Sequence, residues 1–473
     1  MPLRNISIIF LAMVISIACY GTASRNKHVN TLGEAMNLVV EHYVDEVDER
    51  KLFEGAMVGM IDELDPNSKY TPPKDLPRFQ ESIDQEFPGI GIIIEFDEEE
   101  KRLKVKSPVP KLPAFQAGLK AGDIVLEIDG EDTAGKSLDE CSDEIRGKEG
   151  TAVNLLIKRV GASEPLSFEV VRAKIPIENV KGDRHNAAGD WVFTLPTLPR
   201  LGYIRITGFG ERTVDELKDA LATYGPGAQQ IDGLILDLRS NPGGLLTAGV
   251  GVCDAFLKQG LIVSTHGRGG VELEAHKAKL DLSVPMTLPL VVLVDSHSAS
   301  ASEIVAACLQ DHGRAAIVGQ RTYGKGTVQK VYMLEGNKSA LRLTFATYWR
   351  PSGKDIHKRK GAKDTDDWGV SPDPGLEVPI SKELRIQLLL ARDTRDLTVV
   401  DGESESVPPP QPPKPEPEPE EPASKQPSLT PERIPIPEPE PDDTNPALKP
   451  PPEDPQLKKA IEHLLKQVKE QKA

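Results

Sequence analysis

Cysteine is scarce in this chain: four occur in 473 residues, and Cys19 lies inside an apolar N-terminal stretch. Cys141, Cys253 and Cys308 remain, an odd set without metal-ligand spacing, so neither a disulfide framework nor a metal centre is supported. Cys253 and Cys308 fall in apolar helical patterns, where packing is the expected role. Positive charge is also short. Lys and Arg total 57 against 73 Asp and Glu, for a net charge of −16. No basic stripe is available to neutralise phosphates, which excludes a nucleic-acid partner. No motif calls for a cofactor.

The apolar run Ile6–Cys19 follows Arg4 and gives way to small and polar residues through Ser24. That order is the layout of a secretory signal peptide, and the run is short for a spanning helix. Residues 1–23 are read as a signal peptide cut near Ala23, or as an uncleaved membrane anchor. Ile17-Ala-Cys19 faintly resembles a lipoprotein site, with Ser16 where an aliphatic residue is expected. All of these place the mature chain outside the cytoplasm, in the periplasm or anchored facing it.

The chain divides by texture. Residues 31–84 form a helical N-terminal domain, with Leu32, Ala35, Met36, Val39 and Val40 at helical spacing. Residues 85–176 hold short β runs joined by glycine turns, plus a helix over Ser137–Arg146 opened by a Ser137/Glu140 capping box. Residues 190–393 alternate strands (202–206, 233–238, 262–265, 289–294, 315–318) with helices (214–224, 245–257, 302–310). That alternation predicts an α/β core on a largely parallel sheet, followed by paired strands over 328–334 and 340–348. Residues 399–455 hold roughly half of the 41 prolines and many acids, the composition of a disordered spacer. Residues 456–473 form a short amphipathic helix, free to dock on a partner or on the same chain. The fold class is therefore α/β and multidomain.

Chemistry concentrates in three blocks. In the first, Leu288–Val294 supplies a strand, Asp295-Ser-His-Ser-Ala-Ser300-Ala-Ser-Glu303 a turn, and the residues after Glu303 a helix. A serine at such a junction can point into a cleft beside helix N–H groups. Ser300-Ala-Ser-Glu303 equally fits a capping box. In the second block, Gly324-Lys-Gly-Thr-Val-Gln329, glycines let backbone approach a crowded site. Lys325, Thr327 and Gln329 would share one strand face. Lys325 can take a proton from Ser300 only if a dry pocket without a carboxylate partner lowers its pKa. Gly319–Lys325 matches the start of a P-loop, but Gly326 and a β run follow where Ser or Thr and a helix are required. The third block, Asn241-Pro-Gly-Gly244, is a strand-to-helix turn. Its Gly243 or Gly244 N–H, with that of Ala301, would make an oxyanion hole at the carboxyl edge of the sheet.

Asp311 lies eleven residues past Ser300, three helical turns or roughly 16 Å away, out of reach of the serine. An ion pair with Arg314 is its expected role. His297, His312 and His357 are scattered.

Taken together, Leu236-Asp-Leu-Arg-Ser-Asn-Pro-Gly-Gly244, Ser298-Ala-Ser-Ala-Ser-Glu-Ile304 and Gly324–Gln329 resemble the carboxyl-terminal processing (tail-specific) serine proteases, over roughly Thr31–Lys382. The resemblance implies Ser300 as nucleophile, Lys325 as general base and Gln329 as its orienting partner. Some members implicate an aspartate that maps to Asp311. Pro113–Gly130 is similar to part of a PDZ domain. Phe87-Pro-Gly-Ile-Gly-Ile92 resembles its carboxylate-binding loop, in which Gly89, Ile90, Gly91 and Ile92 would hold a substrate C-terminus by backbone N–H groups. Arg146 resembles an arginine that some members use to contact the protease core.

The implied activity is an exported endopeptidase acting on proteins or peptides with apolar C-terminal tails. Membrane attachment and homo-oligomerisation stay open. A binding protein with an inert core, and an acyl-CoA-type enzyme on a related core, are the competing classes. Residues 399–473 lie outside the resemblance, so their removal is expected to spare catalysis.

Overall fold

The computed structural model describes residues 10–14, 16, 27–225, 229–279, 285–397 and 452–472. The expected leader at 1–23 and spacer at 399–455 fall largely outside them. Among the described residues no helix is long and apolar enough to cross a membrane.

Helices Lys27–His42, Glu49–Asp62 and Leu76–Asp84 open the fold. Asp48 caps the second by accepting from the N–H groups of Arg50 and Lys51. Between them the strand Lys69–Thr71 pairs with Ala340–Arg342, so this region is stitched to a distant sheet. The helical texture of 31–84 concealed that strand because it is only three residues long.

Next comes a six-stranded module: Ile92–Asp97, Arg102–Pro108, Ile124–Ile128, Glu131–Asp132, Ala152–Lys158 and Leu166–Val171, with helices Pro113–Gln116 and Leu138–Ile145. Val153, Leu155 and Ile157 are buried at period two, the mark of a sheet with one covered face. The helix start is as expected, with Ser137 N–H donating to Glu140 at 2.8 Å and Glu140 N–H to the Ser137 hydroxyl at 3.3 Å. The chain enters and leaves the module through an antiparallel ribbon, Glu86–Gly89 against Ala173–Pro176.

The third region is built on parallel strands Leu198–Ile206, Gly233–Asp237, Leu290–Val294 and Ala316–Gly319, neighbours in that order. Alternate residues face opposite layers. Ile204, Leu236 and Val292 pack with Leu217, Val252 and Ile304 of helices Thr213–Ala222, Leu246–Asp254 and Ala301–Asp311. Tyr203, Ile235, Val291, Leu293 and Val318 form the other face. Leu261–His266, expected within the alternating core, belongs instead to a second, antiparallel sheet with Glu272–Lys277 and Ser339–Trp349. Strand Thr327–Leu334 is the other partner of Ser339–Trp349. A helix Lys382–Leu397 follows, and the terminal helix Pro455–Lys472 lies on the chain's own parallel sheet.

Candidate active site

Leu290–Val294 ends beside Gly233–Asp237, so their following turns meet at the carboxyl edge of the sheet. Asp295, almost fully buried, joins them: its carboxylate accepts from Ser240 N–H at 2.9 Å, the Ser240 hydroxyl at 3.0 Å, His297 N–H at 2.9 Å and Ser298 N–H at 3.0 Å. Asn241 adds a second tie, its carbonyl accepting from Ala299 N–H at 3.0 Å and the Ser302 hydroxyl at 3.0 Å.

Between these ties Ser300 takes φ 56° and ψ −114°, a conformation a non-glycine residue holds only when its surroundings over-determine it. They do. Its carbonyl accepts from Glu303 N–H at 2.9 Å and Ile304 N–H at 3.0 Å. Its own N–H donates to Glu303 Oε2 at 2.8 Å, the carboxylate half of the predicted capping box. Tyr348 comes up to its side chain: burial pushes the Tyr348 pKa up to about 12, and the Ser300 hydroxyl pulls the other way.

Glu303 does more than cap. It is fully buried, and Oε2 also accepts Lys325 N–H at 2.8 Å, so the backbone nitrogens of Ser300 and Lys325 share one oxygen. Oε1 accepts Gly324 N–H at 2.7 Å and the Thr322 hydroxyl at 2.5 Å. The Ser300 turn and the Gly-Lys-Gly loop are thus held together by one carboxyl. The loop is crowded as its glycines suggest: a Cβ at Gly326 would lie 2.3 Å from His357 N, and one at Gly324 2.7 Å from Lys358 Cβ.

Lys325 is partly buried, and its ammonium makes no ion pair among the described residues. Burial lowers its pKa, the Arg342 charge lowers it further, and Glu303 pulls the other way. Gln329 lies on Thr327–Leu334, the strand that follows Lys325. Its amide nitrogen donates to Thr327 Oγ1 at 2.9 Å and Thr344 Oγ1 at 3.2 Å. The register shift beside Gln329 falls in the partner strand, where Phe345 is the extra residue, so Thr327 and Gln329 keep the one face that their side-chain bond requires.

In the Asn-Pro-Gly-Gly turn, Gly243 has φ +96°, and a Cβ there would lie 2.7 Å from Ser300 Cβ and 3.0 Å from Ala301 N. Its N–H is already engaged by Asn241 Oδ1 at 2.8 Å, which corrects its expected role as an oxyanion donor. The N–H groups of Gly244 and Ala301 have no partner among the described residues.

Asp311 does not reach the serine, in keeping with its distance along the helix. Its partner, however, is Arg350, at 2.9 and 2.6 Å, with Ser352 N–H at 2.9 Å. Arg314 instead donates to the carbonyls of Phe256 and Leu288. His297 turns to the Ser296 hydroxyl and His312 to the Leu261 carbonyl.

In the β-rich module Gly91 has φ +76°, and a Cβ there would lie 2.5 Å from Leu112 Cβ. The Ile90 carbonyl accepts Ala114 N–H and the Gly91 carbonyl Val109 N–H. Arg146 bonds Glu81 at 2.5 Å and stacks on the Phe87 ring at 4.6 Å, contacts with the helix and ribbon before the module and not with the core. Sequence reading missed Asp295, Glu303 as a hub, and Tyr348. Only Glu303 left a trace, through its capping spacing.

Comparison with known proteins agrees across the chain. Residues 200–374 match peptidase family S41, residues 104–159 a PDZ domain, and residues 18–74 the N-terminal domain of the activating protease CtpB. The chain is 38% identical over 378 residues to the carboxy-terminal-processing protease of Bartonella bacilliformis, spanning 79% of this chain and 81% of that one. It is 36% identical over 339 residues to the carboxy-terminal processing protease CtpB of Bacillus subtilis, spanning 71% and 67%. Among solved structures, the photosystem II D1 C-terminal processing protease aligns with a TM-score of 0.40 and 29% identity, covering 75% of this chain and 93% of that one.

Proposed function

The chain belongs to the carboxy-terminal processing serine proteases of peptidase family S41, and on that premise we propose that it cleaves exported proteins near apolar C-terminal tails through a Ser300–Lys325 dyad. The observation that supports the dyad best is the shared Glu303 oxygen, which ties the two backbones at one sheet edge while no carboxylate among the described residues touches the lysine ammonium. In this reading the Ser300 oxygen attacks the scissile carbonyl carbon as its proton passes to neutral Lys325. The carbonyl oxygen becomes an oxyanion facing the N–H groups of Gly244 and Ala301. Lys325 then protonates the departing amine, and water enters to hydrolyse the acyl-serine by the same route in reverse.

Gln329 would orient Lys325 through its side-chain carbonyl, since its amide nitrogen is held by two threonine hydroxyls. The PDZ domain would capture the substrate's terminal carboxylate at Gly89–Ile92 and lay its tail along Ile92–Asp97. The basic, apolar, small order of the N-terminus supports export.

Digestion of a protein with an apolar C-terminus tests the dyad. Ser300→Ala and Lys325→Ala should each lower kcat by about 10⁴- to 10⁶-fold, the range over which a lost triad member acts. Cleavage at the wild-type rate by either variant would sink it.

A further inference from the structure

The terminal helix lies outside every block that carries the chemistry, yet it completes the layer beneath that chemistry. Gln456, Ala460, Leu464 and Val468 are buried, one per turn, and Ala460 and Leu464 pack with Tyr203, Ile235, Val291, Leu293 and Val318. A parallel sheet is stable only with both faces covered, and this helix covers the face that Thr213–Ala222, Leu246–Asp254 and Ala301–Asp311 leave bare. At Gly233 a Cβ would lie 2.9 Å from Leu464, so the sheet has been shaped to receive it.

The helix begins with Asp454, whose Oδ1 accepts Leu457 N–H at 3.0 Å as a cap ahead of Pro455. The same carboxylate binds Arg239 Nη1 through both oxygens, at 2.9 and 2.8 Å. Gln456 Oε1 adds a third contact to that nitrogen at 3.3 Å. The rest of the Arg239 guanidinium is taken by Asp237, with Nη2 at 2.7 Å and Nε at 3.0 Å, and Asp237 in turn receives the Tyr203 hydroxyl at 2.7 Å. These charges are largely hidden from water, where loss of one partner is felt strongly.

Arg239 is the residue before the turn that places Gly243 and Gly244. Ser240 follows at φ 55°, pinned by Asp295, and then Asn241, whose Oδ1 holds the Gly243 N–H. The turn has no slack on its far side, where Gly243 abuts Ser300. We infer that Asp454 is a positioning residue for peptide cleavage: by clamping Arg239 it fixes the Ser240–Gly244 turn against Ser300, so the C-terminal helix is part of the catalytic unit. This rests on the Ser300–Lys325 reading, and it reverses the expectation that removal of residues 399–473 spares catalysis.

The test is peptide cleavage by the full chain carrying Asp454→Ala or Asp454→Glu, at a temperature where circular dichroism shows each variant folded. Asp454→Ala should lower kcat about tenfold or more with KM within twofold, and Asp454→Glu should recover most of the loss. A chain ended after residue 451 should lose at least as much, and a synthetic 452–473 peptide should restore turnover saturably, more than the same peptide carrying Asp454→Ala. Wild-type kcat in Asp454→Ala, or a loss that Asp454→Glu does not recover, overturns the idea. Ser300→Ala run alongside separates the two proposals: retained cleavage there defeats the dyad, whereas retained kcat in Asp454→Ala defeats this inference alone.

Discussion

Glu303 places a carboxyl where water does not reach, and burial pushes its pKa up to about 7 against the pull of Thr322, Gly324, Ser300 and Lys325. Its ordinary value is 4.5, so between those limits the folded protein holds a proton that the unfolded chain has released. Its contribution to stability is therefore full below about pH 4.5 and is lost as the pH rises through 7. Glu303→Gln removes that slope. Urea denaturation should find the variant less stable than wild type at pH 5, with the gap narrowing by up to ~3 kcal/mol at pH 8. Because the Glu303 charge raises the Lys325 pKa, the same variant should move the acid limb of kcat/KM to lower pH. It should also lower kcat, since an amide nitrogen now faces N–H donors. An unchanged pH profile would count against both roles. The sequence offered Glu303 only as a cap, because nothing in its spacing reveals that Thr322, Gly324 and Lys325 return to it from another loop.

At the scale of elements, most strands and helices of the core were legible, because alternate residues of Leu198–Ile206 and Leu290–Val294 must bury on a two-faced sheet. What was not legible is which element each side chain meets. Asp311 shows this. Arg314 lies three residues on and reads as its partner, but the helix ends at Asp311 and the chain turns through a left-handed Gly313. That leaves Asp311 to Arg350, at the end of the strand that brings Tyr348 to Ser300. The pair is well shielded, so Asp311→Ala leaves a buried guanidinium without its counter-charge. A loss of about 3 kcal/mol is expected in urea denaturation. Cleavage should fall as well, because the hairpin end loosens around Tyr348. A stability change below about 0.5 kcal/mol would mean that Arg350 is held by Gln310 alone.

For the whole molecule, the PDZ domain is joined to the protease by one ribbon in which Gly89 is paired with Ala173. Salt bridges of Arg146 to Glu81 and Lys111 to Asp190 add contacts across the joint. Opposed ends of an antiparallel ribbon can be closed by a two-residue turn, so residues 90–172 can be replaced by Asn-Gly without reshaping the core. If Gly89–Ile92 captures a terminal carboxylate, that capture contributes charge-assisted hydrogen bonds of about 1.5–3 kcal/mol. The intact protein should then prefer a peptide ending in a free acid over the same peptide ending in an amide by about ten- to a hundredfold in kcat/KM. In the excised protein the preference should collapse toward one, whichever way overall turnover moves. The ratio isolates recognition from activation, because any effect of the PDZ domain on the dyad multiplies both substrates equally. Full discrimination surviving the excision would place tail recognition in the protease core, at the edge strand Thr327–Leu334 that follows Lys325.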